Sequence, residues 1–587
     1  MSALPDYVDA SIGRKTLSLL ITNCKLLNVY TGELYPTSIG IYKDRIVIVD
    51  GQAAKREATK KIDGKGMIAL PGFIDTHLHV ESSMVTPFRF AEAVLPHGTT
   101  TAYADPHEIA NVLGKDGVRM MIENAKELPL RLMFFAPTCV PESNAVTSGA
   151  ELTPQDIEEM LGWEGICGLG EVMDFNAVLS GSSKMMEILE IGRRRRAVID
   201  GHSPLLSGTE LNAYITSGAE ADHENFTVET VIEKMRLGMY VKLRGPYLLD
   251  TKRFVSAIEK LPRPWNLIFC TDDVMPDNLI RWGHLDYLVR SFIRAGMDPV
   301  EAIRSVTIRP AQHMKANELG AIAPGKMADI ILVDNFRDLN VKKVIASGRI
   351  VSENGKLVFN LKERKFNQNA LNTVKIRRIT ADDMKISFPI KDGEVTIKAI
   401  DFTDHNKTNE RNFLDMALTK LNTVRIRVND YTPDLDEVAL VFVFERHGRN
   451  SARAFGFVRN LLKRGAIAST VAHDAHNLIV VGTDIKDMVM AANLVIEGQG
   501  GMSAVLNGQI LARIKLPVAG LMSEEPLQIV ASWMMELRTA FKKMEVLDHP
   551  YMPLLCLLTL SVIPHARITD RGIFDVDKQS FVYPFIL

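Results

Sequence analysis

Pro71-Gly72-Phe73-Ile74-Asp75-Thr76-His77-Leu78-His79 reads as a buried apolar strand that ends in His-x-His. Residues two apart in a strand face the same side, so both imidazoles point into one pocket. A lone histidine on an apolar face is best explained as a satisfied core residue. Two at this spacing, at the end of a strand, read as a pair of metal ligands. If this is the first strand of a parallel barrel, the pocket is the mouth at the C-terminal strand ends, where barrel enzymes carry their active sites.

The surrounding rhythm supports that placement. From about Met67, short apolar strands alternate with longer helical stretches, the signature of repeated βα units and a parallel sheet. Eight candidate strands can be counted. The first four are Phe73-Ile74-Asp75, Thr100-Thr101-Ala102-Tyr103, Leu132-Met133-Phe134-Phe135 and Ile166-Cys167-Gly168-Leu169. The others are Ala197-Val198-Ile199-Asp200, a sixth from Ala213-Tyr214-Ile215 through Ala221, Met239-Tyr240-Val241-Lys242 and Leu267-Ile268-Phe269-Cys270. Eight parallel strands with intervening helices fit a (β/α)8 barrel, usually about 250 residues long. We place it at residues 67–315.

Further ligands are then expected at later strand ends, and suitable residues stand there. Glu171 follows the fourth strand, His202 the fifth, His223 the sixth and Asp272 the eighth. Each alone reads as structural. With His77 and His79 they make six candidate metal ligands in barrel order.

Outside the barrel, Ser18-Leu19-Leu20-Ile21, Ser38-Ile39-Gly40-Ile41-Tyr42 and Arg45-Ile46-Val47-Ile48-Val49 alternate like strands of a small antiparallel sheet, with Thr31-Gly32 and Asp50-Gly51 as turns. Ala328-Asp329-Ile330-Ile331-Leu332-Val333 and the stretch from Val344 to Val351 are similar in style. They are expected to complete the same small β-sandwich-like domain, built from residues 1–66 and 316–362. The polar, charged run near Lys362-Glu363-Arg364-Lys365 suits a linker into a C-terminal α+β domain over residues 363–587. The fold class is therefore α/β, a barrel with two accessory domains.

Composition narrows the function. The chain has 587 residues, 46% hydrophobic and 24% charged, the balance of a globular enzyme of two to four domains. Lys and Arg total 69 against 71 Asp and Glu, which argues against a nucleic-acid binder driven by phosphate contacts. Arg193-Arg194-Arg195-Arg196 reads as the solvated end of a helix. Five scattered cysteines without a CxxC fit reduced thiols in a cytoplasmic protein. The N-terminus has no basic region followed by an apolar core, so no signal peptide is expected. The apolar stretch at 552–564 is too short to span a bilayer and reads as core. No PCxxC is present, which sets aside the deaminases that pair H-x-E with that motif around one zinc.

The ligand pattern resembles the amidohydrolase superfamily and, within it, the bacterial adenine deaminase family. The matching runs are His77-Leu78-His79-Val80-Glu81-Ser82-Ser83-Met84, His97-Gly98-Thr99-Thr100, Asp105-Pro106-His107-Glu108-Ile109, Gly170-Glu171-Val172-Met173 and Ala323-Pro324-Gly325-Lys326-Met327-Ala328-Asp329-Ile330. Many binuclear relatives carry a carbamylated lysine on the fourth strand. Here that position is Glu171, and the next lysine is Lys184. A carboxylate bridges two cations without carbamylation, which favours the adenine deaminase pattern over the cyclic-amide hydrolases.

The resemblance implies hydrolytic deamination of adenine to hypoxanthine and ammonia in purine salvage, with two divalent ions held by His77, His79, Glu171, His202, His223 and Asp272. Imidazole and carboxylate ligands suit Mn(II) or Fe(II), with Zn(II) as the alternative. Glu171 would bridge, Asp272 would shuttle the proton, and His223 would also polarise the purine. Free adenine would be preferred to its nucleoside, the partners being adenine and water, in a homo-oligomer without nucleic acid or membrane.

Glu81, Asp105 and His107 form a further polar cluster at the ends of the first two strands, read as substrate contacts, support for the ligands or an additional metal site. Glu445-Arg446-His447-Gly448 and His473-Asp474-Ala475-His476 are expected in turns or interfaces, a distant metal site being the alternative. Two competing readings are another amidohydrolase with a different substrate and a barrel serving only as a binding scaffold.

Overall fold

The computed structural model describes residues 4–262, 264–402, 418–549 and 551–586. Eight parallel strands surround the His-x-His segment: β1 (Phe73–Leu78), β2 (Thr99–Ala104), β3 (Arg131–Ala136), β4 (Ile166–Val172), β5 (Val198–Gly201), β6 (Ala221–Asp222), β7 (Tyr240–Leu243) and β8 (Leu267–Phe269). Strands β1 to β5 pair in sequence order as one parallel sheet, and β6 to β8 as another. Backbone bonds join the two arcs at both edges. Glu220 N donates to Ile199 O at 2.9 Å, and Asp272 N donates to His77 O at 3.1 Å.

These strands are short and buried on both faces, as parallel strands covered by helices must be. Every residue of β1 and β2 is buried. The helices show the complementary pattern. Helix Leu285–Arg294 buries Leu285, Leu288, Val289 and Phe292, a single stripe at helical spacing. Phe292 stacks on Phe269 of β8 at 4.2 Å between ring centroids. Burying a side chain of that size stabilises by roughly 1.5–3 kcal/mol. Helix Pro154–Met160 starts at a capping box of Thr153 and Asp156, with Pro154 in the first turn.

The sixth strand differs from the sequence expectation. Residues 213–216 lie in helix Gly208–Thr216, and only Ala221–Asp222 is strand. Leu211 and Tyr214, three apart, form the buried face of that helix. A short apolar run such as Ala213-Tyr214-Ile215 fits either element, and here tertiary packing selects the helix.

The two flanks join in one nine-stranded sheet. Ile68–Pro71 stitches them together, pairing parallel with Leu17–Leu27 and antiparallel with Ile330–Val333. The sheet thus extends past residue 66. It is also mixed rather than antiparallel, because Ala58–Asp63 runs parallel to Leu17–Leu27 after a 3-10 turn at Gly51–Lys55. The tetra-arginine run ends helix Ser183–Arg195, with Arg196 in the left-handed C-cap conformation and Arg193 to Arg195 in the last turn, where cations complement the helix dipole.

Beyond residue 390 a ten-stranded sheet carries helix Ile485–Glu497. Helix Leu527–Met544 docks on helix Pro276–Trp282 through Arg538 Nε and Asp277 Oδ2 at 2.6 Å. Leu557, Leu560 and Ile563, from the apolar stretch at 552–564, reach over the C-terminal ends of the parallel strands and line the cavity there. No helix among the described residues is long and apolar enough to cross a membrane.

Candidate active site

The six candidate ligands converge at the C-terminal ends of the parallel strands, and all are buried. Glu171 stands at their centre. Its Oε1 lies 3.4 Å from His79 Nε2 and 4.0 Å from His77 Nε2. Its Oε2 lies 2.6 Å from His202 Nδ1 and 3.4 Å from His223 Nε2. The carboxylate therefore turns one oxygen to each pair of histidines. Asp272 Oδ1 sits 3.2 Å from both His77 Nε2 and His79 Nε2. Asp272 has a left-handed backbone, φ 57°, which Asp tolerates better than most residues.

The outer contacts orient the ligands. His77 Nδ1 faces Asp200 Oδ2 at 2.8 Å, leaving Nε2 bare and turned inward. Lys242 Nζ donates to the same Asp200 oxygen at 2.7 Å and to Thr76 O at 3.1 Å. His79 Nδ1 faces Asp105 O at 3.0 Å. Asp105 Oδ2 accepts from Glu171 N at 2.8 Å. That approach needs Gly170, since a β-carbon there would collide with the Asp105 carboxylate. Such contacts set the tautomer and orientation of metal ligands.

Buried groups able to bind metal are present. His77, His79 and Glu171 form one compact set, and Glu171, His202 and His223 another. His77 Nε2 and His223 Nδ1 are buried without a hydrogen-bond partner. His77 Nε2, buried and facing the Glu171 and Asp272 carboxylates, fits a cation well.

Electrostatics agree. Burial works against a charged His77, but Asp200, Asp272 and Glu171 outweigh it and carry the imidazole up to about 9. His79 is also raised, Asp272, Asp273 and Glu171 together outweighing burial. Binding a cation requires neutral imidazoles. At pH 7 the metal-free protein is therefore expected to release at least one proton on taking up Mn(II), and its affinity should rise with pH towards 9. Titration calorimetry in buffers of different ionisation enthalpy checks this. An enthalpy independent of buffer would contradict it.

Of the further cluster, His107 alone lines the cavity, its Nδ1 3.4 Å from Glu171 Oε1. Asp105 is not part of the cavity lining and contacts Glu171 through the backbone N–H already described. Glu81 also lies behind the wall, where its Oε1 accepts from Ile109 N at 3.2 Å in the first turn of helix His107–Ala125. Burial and the neighbouring Glu108 push the Glu81 carboxyl up to about 8.

The C-terminal histidine motif is not distant. His473 and Asp474 line the same cavity. His476 Nε2 lies 3.7 Å from Glu108 Oε2, and His473 Nδ1 3.9 Å from Glu108 Oε1. Ala472 N donates to His476 Nδ1 at 3.4 Å, while His476 Nε2 is buried without a hydrogen-bond partner. Glu108, His473 and His476 lie close enough together to hold a cation. Glu445 closes a turn, its Oε2 accepting from the backbone N–H groups of Arg449, Asn450 and Ser451 at 3.0 to 3.2 Å.

Several residues of the site were not singled out in the sequence. Arg244 forms an ion pair with Asp272 and reaches Glu224 Oε1 at 2.7 Å. Asp200 and Lys242 belong to the same class. Their signal was a charged residue inside an otherwise apolar strand, which demands a buried partner. Apolar residues also line the cavity, among them Pro204, Leu205, Phe226, Leu557, Leu560 and Ile563.

Residues 68–351 match the amidohydrolase family model, and residues 416–580 match the adenine deaminase C-terminal domain. The chain is 37% identical over 593 residues to an adenine deaminase of Kosmotoga olearia, covering 99% of each chain. It is 38% identical over 588 residues to an adenine deaminase of Clostridium botulinum and 38% identical over 579 residues to one of Brucella suis. Each covers 98% of this chain and 96% of the relative.

Proposed function

This chain belongs to the adenine deaminase family of amidohydrolases, and from that premise we propose that it hydrolyses adenine to hypoxanthine and ammonia. The observation that carries the reading is Glu171, one carboxylate oxygen turned to His77 and His79 and the other to His202 and His223. In that arrangement His77, His79, His202, His223 and Asp272 would hold two divalent ions, Mn(II) or Fe(II) before Zn(II), with Glu171 shared between them. We take the two parallel arcs together as a (β/α)8 barrel.

When bound, such ions lower the pKa of water enough to supply hydroxide near neutral pH. The chain's own residues do the rest. Asp272 starts as a base: burial alone would raise its carboxyl, but Arg244 and the neighbouring histidines hold it well below the usual range. It accepts the proton of the attacking water and returns it to N6 as the C6–N6 bond breaks and ammonia leaves. His223, which lines the same cavity, would polarise the purine ring. The apolar walls exclude bulk water, which strengthens these interactions.

The test is ammonia release from adenine, adenosine, guanine and cytosine, with metal analysis of the same preparation. Adenine is the expected substrate, with kcat/KM above that for adenosine. If adenosine matched adenine, the substrate assignment would fall. Activity on none of the four with a full metal complement would remove the deaminase reading. We further propose that the enzyme acts in purine salvage, in the cytoplasm and as a homo-oligomer.

A further inference from the structure

We propose that Asp474, supplied by the C-terminal domain, contacts the substrate and reads the N9–H of the free base. This rests on the deaminase reading above and assigns that domain a part of the active site.

Asp474 is 1% exposed, and its Oδ2 has no hydrogen-bond partner among the described residues. It lies 3.5 Å from His107 Nε2, while His107 Nδ1 lies 3.4 Å from Glu171 Oε1. Asp474 thus stands one imidazole ring further out than the central carboxylate, on the same cavity wall. The adjacent His473 also lines the cavity and has an unpartnered, buried Nε2.

A buried carboxylate oxygen left without a donor is costly, so a ligand that supplies one is favoured. The apolar part of the lining, which includes Leu205, Phe226, Leu557 and Leu560, suits the flat faces of a base and leaves recognition to its edges. If C6 is held between Glu171 and Asp272, the imidazole part of the purine extends away from the ligands. Its N9 is the ring nitrogen remote from C6. In the free base N9 carries a hydrogen and donates; in a nucleoside the sugar replaces it. An ionised carboxylate only accepts, so Asp474 rewards the N9–H and has nothing to offer an N9-substituted base. Asp474 is therefore a specificity-determining residue, distinct from the groups that act at C6.

The experiment measures binding, so it does not depend on turnover by the variant. Hypoxanthine and 9-methylhypoxanthine are titrated calorimetrically into Mn(II)-loaded full-length protein, wild type and Asp474→Ala. Wild type should prefer hypoxanthine by roughly 10²-fold or more, since a polar site rejects an analogue lacking its partner. Asp474→Ala should lose roughly 10- to 100-fold of its hypoxanthine affinity and leave 9-methylhypoxanthine nearly unchanged, so the preference collapses. Asp474→Asn, close in shape, serves if the alanine variant does not fold, and should narrow the preference in the same direction. Equal weakening of both ligands, or a preference unchanged in the folded variant, overturns the proposal. Adenine turnover by the same wild-type preparation separates the two levels. If adenine is deaminated and the preference does not respond to Asp474, only this inference falls; if adenine is not deaminated, both fall.

Discussion

Asp272→Asn enzyme, assayed on adenine at saturating metal, is expected to fold normally and to lose roughly 10²–10⁴ in kcat. Normal folding follows from the backbone. Asp272 occupies a left-handed conformation, φ 57°, which asparagine tolerates as readily as aspartate. Its N–H bond to His77 O, which closes the seam between β8 and β1, is untouched by the change. The loss in rate follows from the side chain. A carboxylate held deprotonated by Arg244 accepts a proton and gives it back; an amide does neither. Circular dichroism, metal analysis and steady-state kinetics on one preparation separate the contributions. Near-normal turnover in a folded, metal-loaded variant would refute the proton-shuttle role.

Glu171→Gln should have a different signature, losing metal as well as activity. The glutamate offers two equivalent oxygens, one to each pair of histidines. Glutamine offers one oxygen, and its amino group presents hydrogens to whichever cation it faces. The fall in metal affinity should exceed the roughly 10–100-fold typical of changes to groups that only support ligands. The backbone is secured independently by Asp105 on Glu171 N and by the close approach at Gly170, so the variant should fold. Metal content after dialysis against a weak chelator is the measurement. A variant that retains its full metal complement and its turnover would remove the bridging assignment.

The convergence of the six candidate ligands was legible in the sequence because they stand at or just beyond the ends of strands, His77 and His79 sharing the first. His77 and His79 declare themselves through strand period alone. Glu171, His202, His223 and Asp272 each follow an apolar segment, a relation confined to a few neighbouring residues. The sixth strand shows where such reading ends. Ala213-Tyr214-Ile215 is equally compatible with strand and helix, and only its packing through Tyr214 resolves the choice. The parallel pairing of Ala58–Asp63 was hidden for a similar reason: alternation shows which face is buried, not which strand lies alongside.

By itself, then, the sequence determined most of the strand rhythm and the six candidate ligands, which are written in local spacing, and its motif runs carried the family resemblance. Tertiary structure alone decided which charges meet. Asp200 finds Lys242, Asp272 finds Arg244, and His107 finds Asp474 from a segment more than 300 residues further along the chain. A buried charge requires a partner wherever it lies, and its own sequence context states that requirement without naming the partner. That choice is made when separate elements pack together, and here it brings the C-terminal domain into the wall of the active site.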